Sequence, residues 1–368
     1  MAPLKIFACT SYGEHTALTG GRLRRDNLLT ALAARGHLVD RLDVCARPGA
    51  RSGLASGRIA LSGGLRERAG RADVVLMGDV FCLPMMPALR RSGRPTVVDL
   101  VDSPYRLVGA APRGTPGEWL SAVAQSGQLV PVMQGLLPMA ARVTYISEED
   151  AEADRARVRR LPPVTIVPNG VATGLFDKPL TAPPDDGYLG WLADWTYAPN
   201  RESFAWFVEE VAPLLPDALL SRVRTFGAGD PRVAREDDPR WSRARSLVDH
   251  AGFVDSLSAV YDGARGIIAP VVRGAGVNNK VLEPLAAGRD LVTTTVGTRG
   301  LPAAIRKHLR VGATGPEFAA EMTGLLDTPF SPGAAEAARA SVASLSWESA
   351  GEAMEGALLA ALGARPQH

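Results

Sequence analysis

Short apolar runs alternate along the chain with stretches in which apolar residues recur every third or fourth position. That is the pattern of strands buried on both faces and of amphipathic helices. Leu4 to Thr10 (LKIFACT) predicts a first strand, and after a polar loop (SYGEHTALTGG) a helix is expected from Arg22 to Ala34. Gly36 and His37 close that helix before the strand HLVDRLDV. Helices over Leu54 to Ala69 and Pro84 to Arg91 then alternate with strands over Asp73 to Gly78 and Thr96 to Asp102. A longer helical region, Glu118 to Ala140, is interrupted by glycines and Pro131 and leads to a strand at Arg142 to Ser147. The charged helix EEDAEADRARVRR precedes VTIVPNGV, Val164 to Val171. Such repetition implies a doubly wound parallel sheet.

Asp177 to Gly187 (DKPLTAPPDDG) is rich in proline and acidic residues and is the expected linker. After it the alternation restarts: strand YLGWLA, helix RESFAWFVEEVAPLL, strand RVRTFGA, strand-like LVDHAGFV, helix SLSAVYDGA, strand GIIAP. A signature segment, the run LVTTTV, a strand near Leu309 and closing helices complete a second parallel α/β domain of similar size. Two such domains bind ligands at the carboxyl ends of their strands, in the cleft between them.

A length of 368 residues agrees with two domains, and 46% hydrophobic against 22% charged residues lets each bury a core. The net charge is only +2 and no long basic run exists, which argues against nucleic acid as a partner. Cys9, Cys45 and Cys82 are odd in number and lack metal-ligand spacing, so they read as small buried hydrophobes in a reducing compartment. Met1 to Thr10 is too short an apolar stretch for a signal peptide and no run reaches spanning length, so a cytoplasmic protein is expected. FGAGDP keeps two glycines and then a proline, which disfavours a nicotinamide enzyme; the absence of G-x-x-x-x-G-K-[ST] excludes a P-loop nucleotidase.

Arg273 to Gly288 (RGAGVNNKVLEPLAAG) carries the candidate chemistry. It reads as a glycine-containing turn and a helix set between two strands, with Val277, Val281 and Leu285 on the buried face. Lys280 and Glu283, three apart, share a neighbouring face. Helix-start amides and a lysine suit phosphate, and a carboxylate one turn on suits a ribose diol. Lys280 is one of only four lysines, with Lys5, Lys178 and Lys307, in a chain whose basic residues are otherwise arginine.

At these residues the chain resembles the group 1 (family 4) glycosyltransferases, and most of all the sugar transferases of bacterial exopolysaccharide clusters. The matching blocks run in register over most of the chain: TGG, ISEED, VPNGV, GWLADWTYAPN, WFVEEVAPLL, FGAGDP, GFVD, VVRGAGVNNKVLEPLAAGRDLVTT and SWES. The resemblance implies a GT-B fold, two Rossmann-like domains facing across a cleft. Residues 1–178 would form the acceptor domain, 179–347 the donor domain, and 348–368 a helix crossing back to the first. It implies transfer of a sugar from a nucleotide-diphosphate donor of UDP, dTDP or GDP type to a hydroxyl or amine, with retention and without a metal or other cofactor. The acceptor would be a small molecule, a glycan or a lipid-linked species. Membrane contact would be at most peripheral, and the protein a monomer or homodimer.

Carried over residue by residue, the family's two glutamates seven residues apart put Glu283 on the ribose and leave Ala275 where the sugar-binding carboxylate would stand. Backbone amides of Gly276, Val277 and Asn278 would hold the distal phosphate, in a loop that begins with Arg273 and Gly274. Gly20 and Gly21 in the first loop would approach the diphosphate from the other domain, and Gly227 and Phe253 complete the expected donor contacts. The family's arginine and lysine after the first C-terminal-domain strand are missing from WLADWTYAPN. Lys280 is therefore expected to take the leaving-group charge, followed by Arg273 and Arg201. Pro284 would either kink a helix starting near Val277 or mark a later start. Asp102 and His15 are the expected catalytic groups of the acceptor side. Their plainer alternatives are capping of the turn at Ser103 and Pro104 by Asp99 and Asp102, and an ordinary loop histidine beside Glu14. Trp191, Trp195 and Trp206 read as core, with sugar stacking open for Trp195; Asn169 and Gly170 shape the turn after the last strand. A sugar-nucleotide epimerase or pseudo-glycosyltransferase, and a non-catalytic nucleotide-binding partner, are the rival readings.

Overall fold

The computed structural model describes residues 2–10, 20–44, 57–109, 116–233, 238–274 and 276–363. The chain forms two compact units, Met1–Gly170 with Trp347–His368, and Val171–Ser346. Asp177 to Gly187, expected as the linker, lies within the second unit; the chain passes between units at Gly170–Val171 and returns at Ser346–Trp347. Local packing accounts for these positions. A Cβ on Gly170 would lie 2.4 Å from the Trp347 backbone nitrogen. Arg289 and Arg339 hydrogen-bond the carbonyls of Thr181 and Lys178 and so fasten the proline-rich segment to the second unit.

The first unit is a six-stranded parallel sheet in the order β2-β1-β3-β4-β5-β6. Its strands are β1 (Lys5–Thr10), β2 (Leu38–Asp43), β3 (Val74–Gly78), β4 (Thr96–Val101), β5 (Arg142–Tyr145) and β6 (Val164–Ile166). Strands β3 and β4 are apolar along almost their whole length because helices cover both faces of a parallel sheet. The first helix runs Gly20–Ala34, so Gly20 and Gly21 open the helix rather than ending a loop. The C-terminal helix Trp347–Gly363 belongs to this unit. Gly351 allows its close approach, since a Cβ there would stand 2.5 Å from the Ala31 Cβ. Glu355 accepts from Arg35 at 2.7 Å and bonds His37 at 2.9 Å, locking helix to helix end.

The second sheet, also parallel, has the order β12-β11-β10-β7-β8-β9. Its strands are β7 (Tyr188–Leu192), β8 (Val223–Phe226), β9 (Asp249–Gly252), β10 (Ala264–Ala269), β11 (Leu291–Thr293) and β12 (Arg310–Val311). Trp191, Trp195, Phe204, Phe207 and Trp241 fill the core under one face, with ring centroids 5.1–5.5 Å apart in the pairs Trp191–Trp195, Trp191–Phe204, Trp191–Phe207 and Phe204–Trp241. Trp195 is 2% exposed and donates its Nε1 to the Phe226 carbonyl, so no face of its ring is left for a sugar. Among the described residues no helix is long and apolar enough to cross a membrane.

Candidate functional site

In the second unit the candidate site grows from the carboxyl end of β10. That strand is buried throughout, between β7 and β11, and the loop after it leads to the helix Asn279–Ala286. The helix therefore starts two residues later than Val277, with Asn278 at its N-cap in extended conformation. Val281 and Leu285 are buried as expected, whereas Val277 precedes the helix and is half-buried. Pro284 sits inside this helix without ending it, and the Arg289 amide bonds the Pro284 carbonyl just beyond it. The proline still removes one amide, the partner of the Lys280 carbonyl.

The loop is held by its neighbours. Ser203 accepts from the Val272 amide at 3.4 Å, Arg299 donates to the Gly274 carbonyl at 3.2 Å, and the Asn278 side chain reaches the Gly276 carbonyl at 3.3 Å. The carbonyls of Gly274 and Gly276 are thus turned toward protein donors. Ala275, where the family has its sugar-side glutamate, lies outside the described residues, as do His15 and Glu14.

Lys280 is half-buried, and its Nζ donates to Asn200 Oδ1 at 2.8 Å. The orientation of that amide is fixed because Asn200 Nδ2 donates to the Asp194 carbonyl at 2.7 Å. Among the described residues no carboxylate pairs with Lys280, and burial lowers its pKa to about 8. One turn on, Glu283 is 5% exposed. Burial raises its pKa to about 7, against the opposing effect of the Tyr261 hydroxyl, which donates to Oε2 at 3.2 Å. One helix thus carries a half-buried cation and a buried acid, each met among the described residues by a neutral group.

The other expected cations are engaged. Arg273 forms a forked pair with Glu202, both contacts 2.6 Å. Arg201 donates to the carbonyls of Trp195 and Thr196. Gly227 has φ +125° and donates to the Gly252 carbonyl at 2.8 Å; a Cβ there would fall 1.8 Å from the Ala193 carbonyl oxygen. Close strand-end packing is reason enough for that glycine. Phe253 follows Gly252 and is 60% exposed.

In the first unit the carboxyl end of β4 holds Asp99 and Asp102. Asp99 accepts two bonds from Arg24, each 3.0 Å, and one from Thr144 at 2.8 Å. Burial opposes ionisation of Asp99, but Arg24 overrides it and holds the carboxyl below its ordinary range. Arg24 also bonds the carbonyls of Val167 and Pro168 and the side chain of Asn169, which ties VPNG to the sheet. Neither aspartate caps the following turn: Ser103 takes Asp150 on its amide and Asp154 on its hydroxyl instead. Val101 between them has φ +66°, a strained conformation for a β-branched residue. Beyond it, Asp102 Oδ1 is buried and has no hydrogen-bond partner among the described residues. Burial, reinforced by Asp150, raises the Asp102 pKa to about 7.

Sequence reasoning passed over Arg24, Asn200 and Tyr261. Arg24 stands four and eight residues before Leu28 and Leu32, all three buried, so a charge on the apolar stripe was the available signal. Tyr261 lies among the apolar positions of SLSAVYDGA, where a buried hydroxyl needs a partner. Nothing local marks Asn200.

Residues 187–328 match the family model described as glycosyl transferases group 1. No curated protein matches the chain in sequence. Solved structures match it in fold. Sucrose-phosphate synthase from Thermosynechococcus elongatus aligns with TM-score 0.71 at 15% identity, over 96% of this chain and 98% of that one. WaaG, a glycosyltransferase involved in lipopolysaccharide biosynthesis, gives 0.69 at 16%, over 96% and 99%. Anabaena HepE, in complex with UDP, gives 0.64 at 14%, over 97% and 100%. The family model thus covers part of the second unit, where the chain resembles the group 1 glycosyltransferases, and the alignment of both parallel sheets shows the GT-B fold.

Proposed function

We propose that the second unit binds a nucleotide-diphosphate sugar and that the enzyme transfers the sugar to an acceptor hydroxyl or amine. The observation that carries this reading is the pairing of Lys280, half-buried, and Glu283, buried, on one short helix, with neither neutralised by an opposite charge among the described residues. A half-buried ammonium facing an amide gains a charge-assisted bond when a phosphate arrives. A buried carboxylate with one oxygen on a phenol gains the same from ribose hydroxyls. The amides of Gly276, Val277 and Asn278 would bind the distal phosphate, and the exposed ring of Phe253 would stack on the base. The binding of UDP by HepE agrees with this class of donor.

Lys280 takes the charge that develops on the departing diphosphate, so no metal or other cofactor enters the scheme. With retention, the leaving phosphate stays on the face the acceptor attacks and receives its proton. The acceptor is assigned to the first unit. There Asp102 would accept a hydrogen bond from the acceptor hydroxyl, with His15 on the same side, while Gly20 and Gly21 would approach the donor diphosphate.

Thermal denaturation with UDP, dTDP and GDP tests the donor assignment, since a ligand that binds only the folded state raises the midpoint. At least one should stabilise the wild type and lose most of its effect on Glu283→Ala. Equal stabilisation of both proteins would remove Glu283 from the ribose. Turnover unaffected by a chelator is expected; activity that vanishes with chelator and returns with magnesium would end the metal-free scheme.

A further inference from the structure

Glu283 does not stand alone in its pocket. Among the described residues Tyr261 is its one hydrogen-bond partner, through Oε2, and Oε1 is left without any. Tyr261 is 2% exposed, at the end of the helix Leu257–Asp262, and its ring packs in the cluster with Ile267, Leu282 and Leu285. Its backbone is fixed as well: Arg289 donates Nε to the Tyr261 carbonyl at 2.8 Å and Nη1 to the Thr181 carbonyl at 2.9 Å. The phenol is therefore held from both ends.

We propose that Tyr261 is the positioning residue for ribose recognition: its hydroxyl pins one oxygen of Glu283 and presents the other to the ribose diol. The inference rests on the donor reading above. Burial and the adjacent Glu283 push the phenol well above its ordinary range, so it stays a donor at every working pH. A donor on Oε2 favours the ionised carboxylate in a site where burial opposes ionisation. The ionised form offers the diol more and stronger acceptors than the protonated form, one of whose oxygens carries a proton. The other charges nearby act elsewhere: Lys280 lies a turn earlier on Asn200, and Arg289 reaches the Tyr261 carbonyl rather than the carboxylate.

The test is calorimetric titration of the full-length protein with uridine diphosphate and with 2′,3′-dideoxyuridine diphosphate between pH 6 and 9. The ratio of the two dissociation constants reports the ribose contact, and titration of Lys280 cancels from it. In the wild type the ratio should rise with pH as Glu283 ionises. In Tyr261→Phe the rise should move to higher pH, leaving discrimination about fivefold lower at pH 7 and close to wild type at pH 9. In a Glu283→Gln background, which has no charge to favour, the same substitution should leave the ratio unchanged. A Tyr261→Phe profile superimposed on that of the wild type overturns the proposal. Full discrimination retained by Glu283→Ala overturns instead the donor reading beneath it, so the two failures are separable.

Discussion

The carboxyl ends of β4 and β10 both bury charge, and they treat it oppositely. At β4, Arg24 and Asp99 meet each other in a forked pair, and Thr144, Asn169 and two backbone carbonyls take the remaining donors and acceptors. After β10, Lys280 and Glu283 each face a neutral group. Breaking a saturated buried pair is costly, yet the pair has nothing left to offer a ligand. Unmatched charges destabilise the empty protein and gain when an oppositely charged or hydroxylated ligand completes them. Burial alone is thus a poor guide to function, and the partner decides. Asp102 extends the contrast within the first unit, since its Oδ1 is as unmatched as Asp99 is saturated.

The sharpest way to break this comparison is to remove one member of each kind. Arg24→Met should cost about 3–5 kcal/mol of stability by stranding Asp99, seen as an earlier denaturant midpoint of the first unit. Lys280→Ala should lower turnover about a hundredfold while leaving the midpoint nearly in place, because the ammonium is already penalised by burial. If Lys280→Ala unfolds the protein instead, its charge is structural. Next in size is the pH dependence of uridine diphosphate binding. Affinity should climb as Glu283 ionises through about pH 7 and fall as Lys280 loses its proton above about pH 8. A flat titration curve from pH 6 to 9 would show that neither group meets the ligand. The smallest effect belongs to Arg273→Ala. Its partly exposed pair with Glu202 is worth about 0–1 kcal/mol, and turnover should change less than tenfold. A larger loss would return Arg273 to the diphosphate.

Much of the second unit could be read from the sequence because its information is local. The strand-turn-helix-strand pattern around residues 264–293 needs only periodicity, and it brings Lys280 and Glu283 onto one short helix by their spacing. Pro284 did not locate the helix start, since it lies inside the helix Asn279–Ala286 as it would in one beginning at Val277. Arg273 was beyond local reasoning, because its partner Glu202 is fixed by how the helix Ala198–Trp206 lies beside the loop after β10, whereas Arg201 is engaged by carbonyls of its own segment. Trp195 read as core from the sequence, and the aromatic cluster closes the sugar-stacking alternative.

The sequence by itself determined two parallel α/β units, the signature helix and the residue types on it. Each of these follows from side-chain period and composition within a few turns of chain. Tertiary structure decided which charges are neutralised. Asp99 is matched by a residue 75 positions earlier, Lys280 by an amide 80 positions earlier and Glu283 by a phenol 22 positions earlier. Desolvation and pairing act through space, so the availability of a charged group for chemistry becomes defined only once the sheets have brought distant segments together.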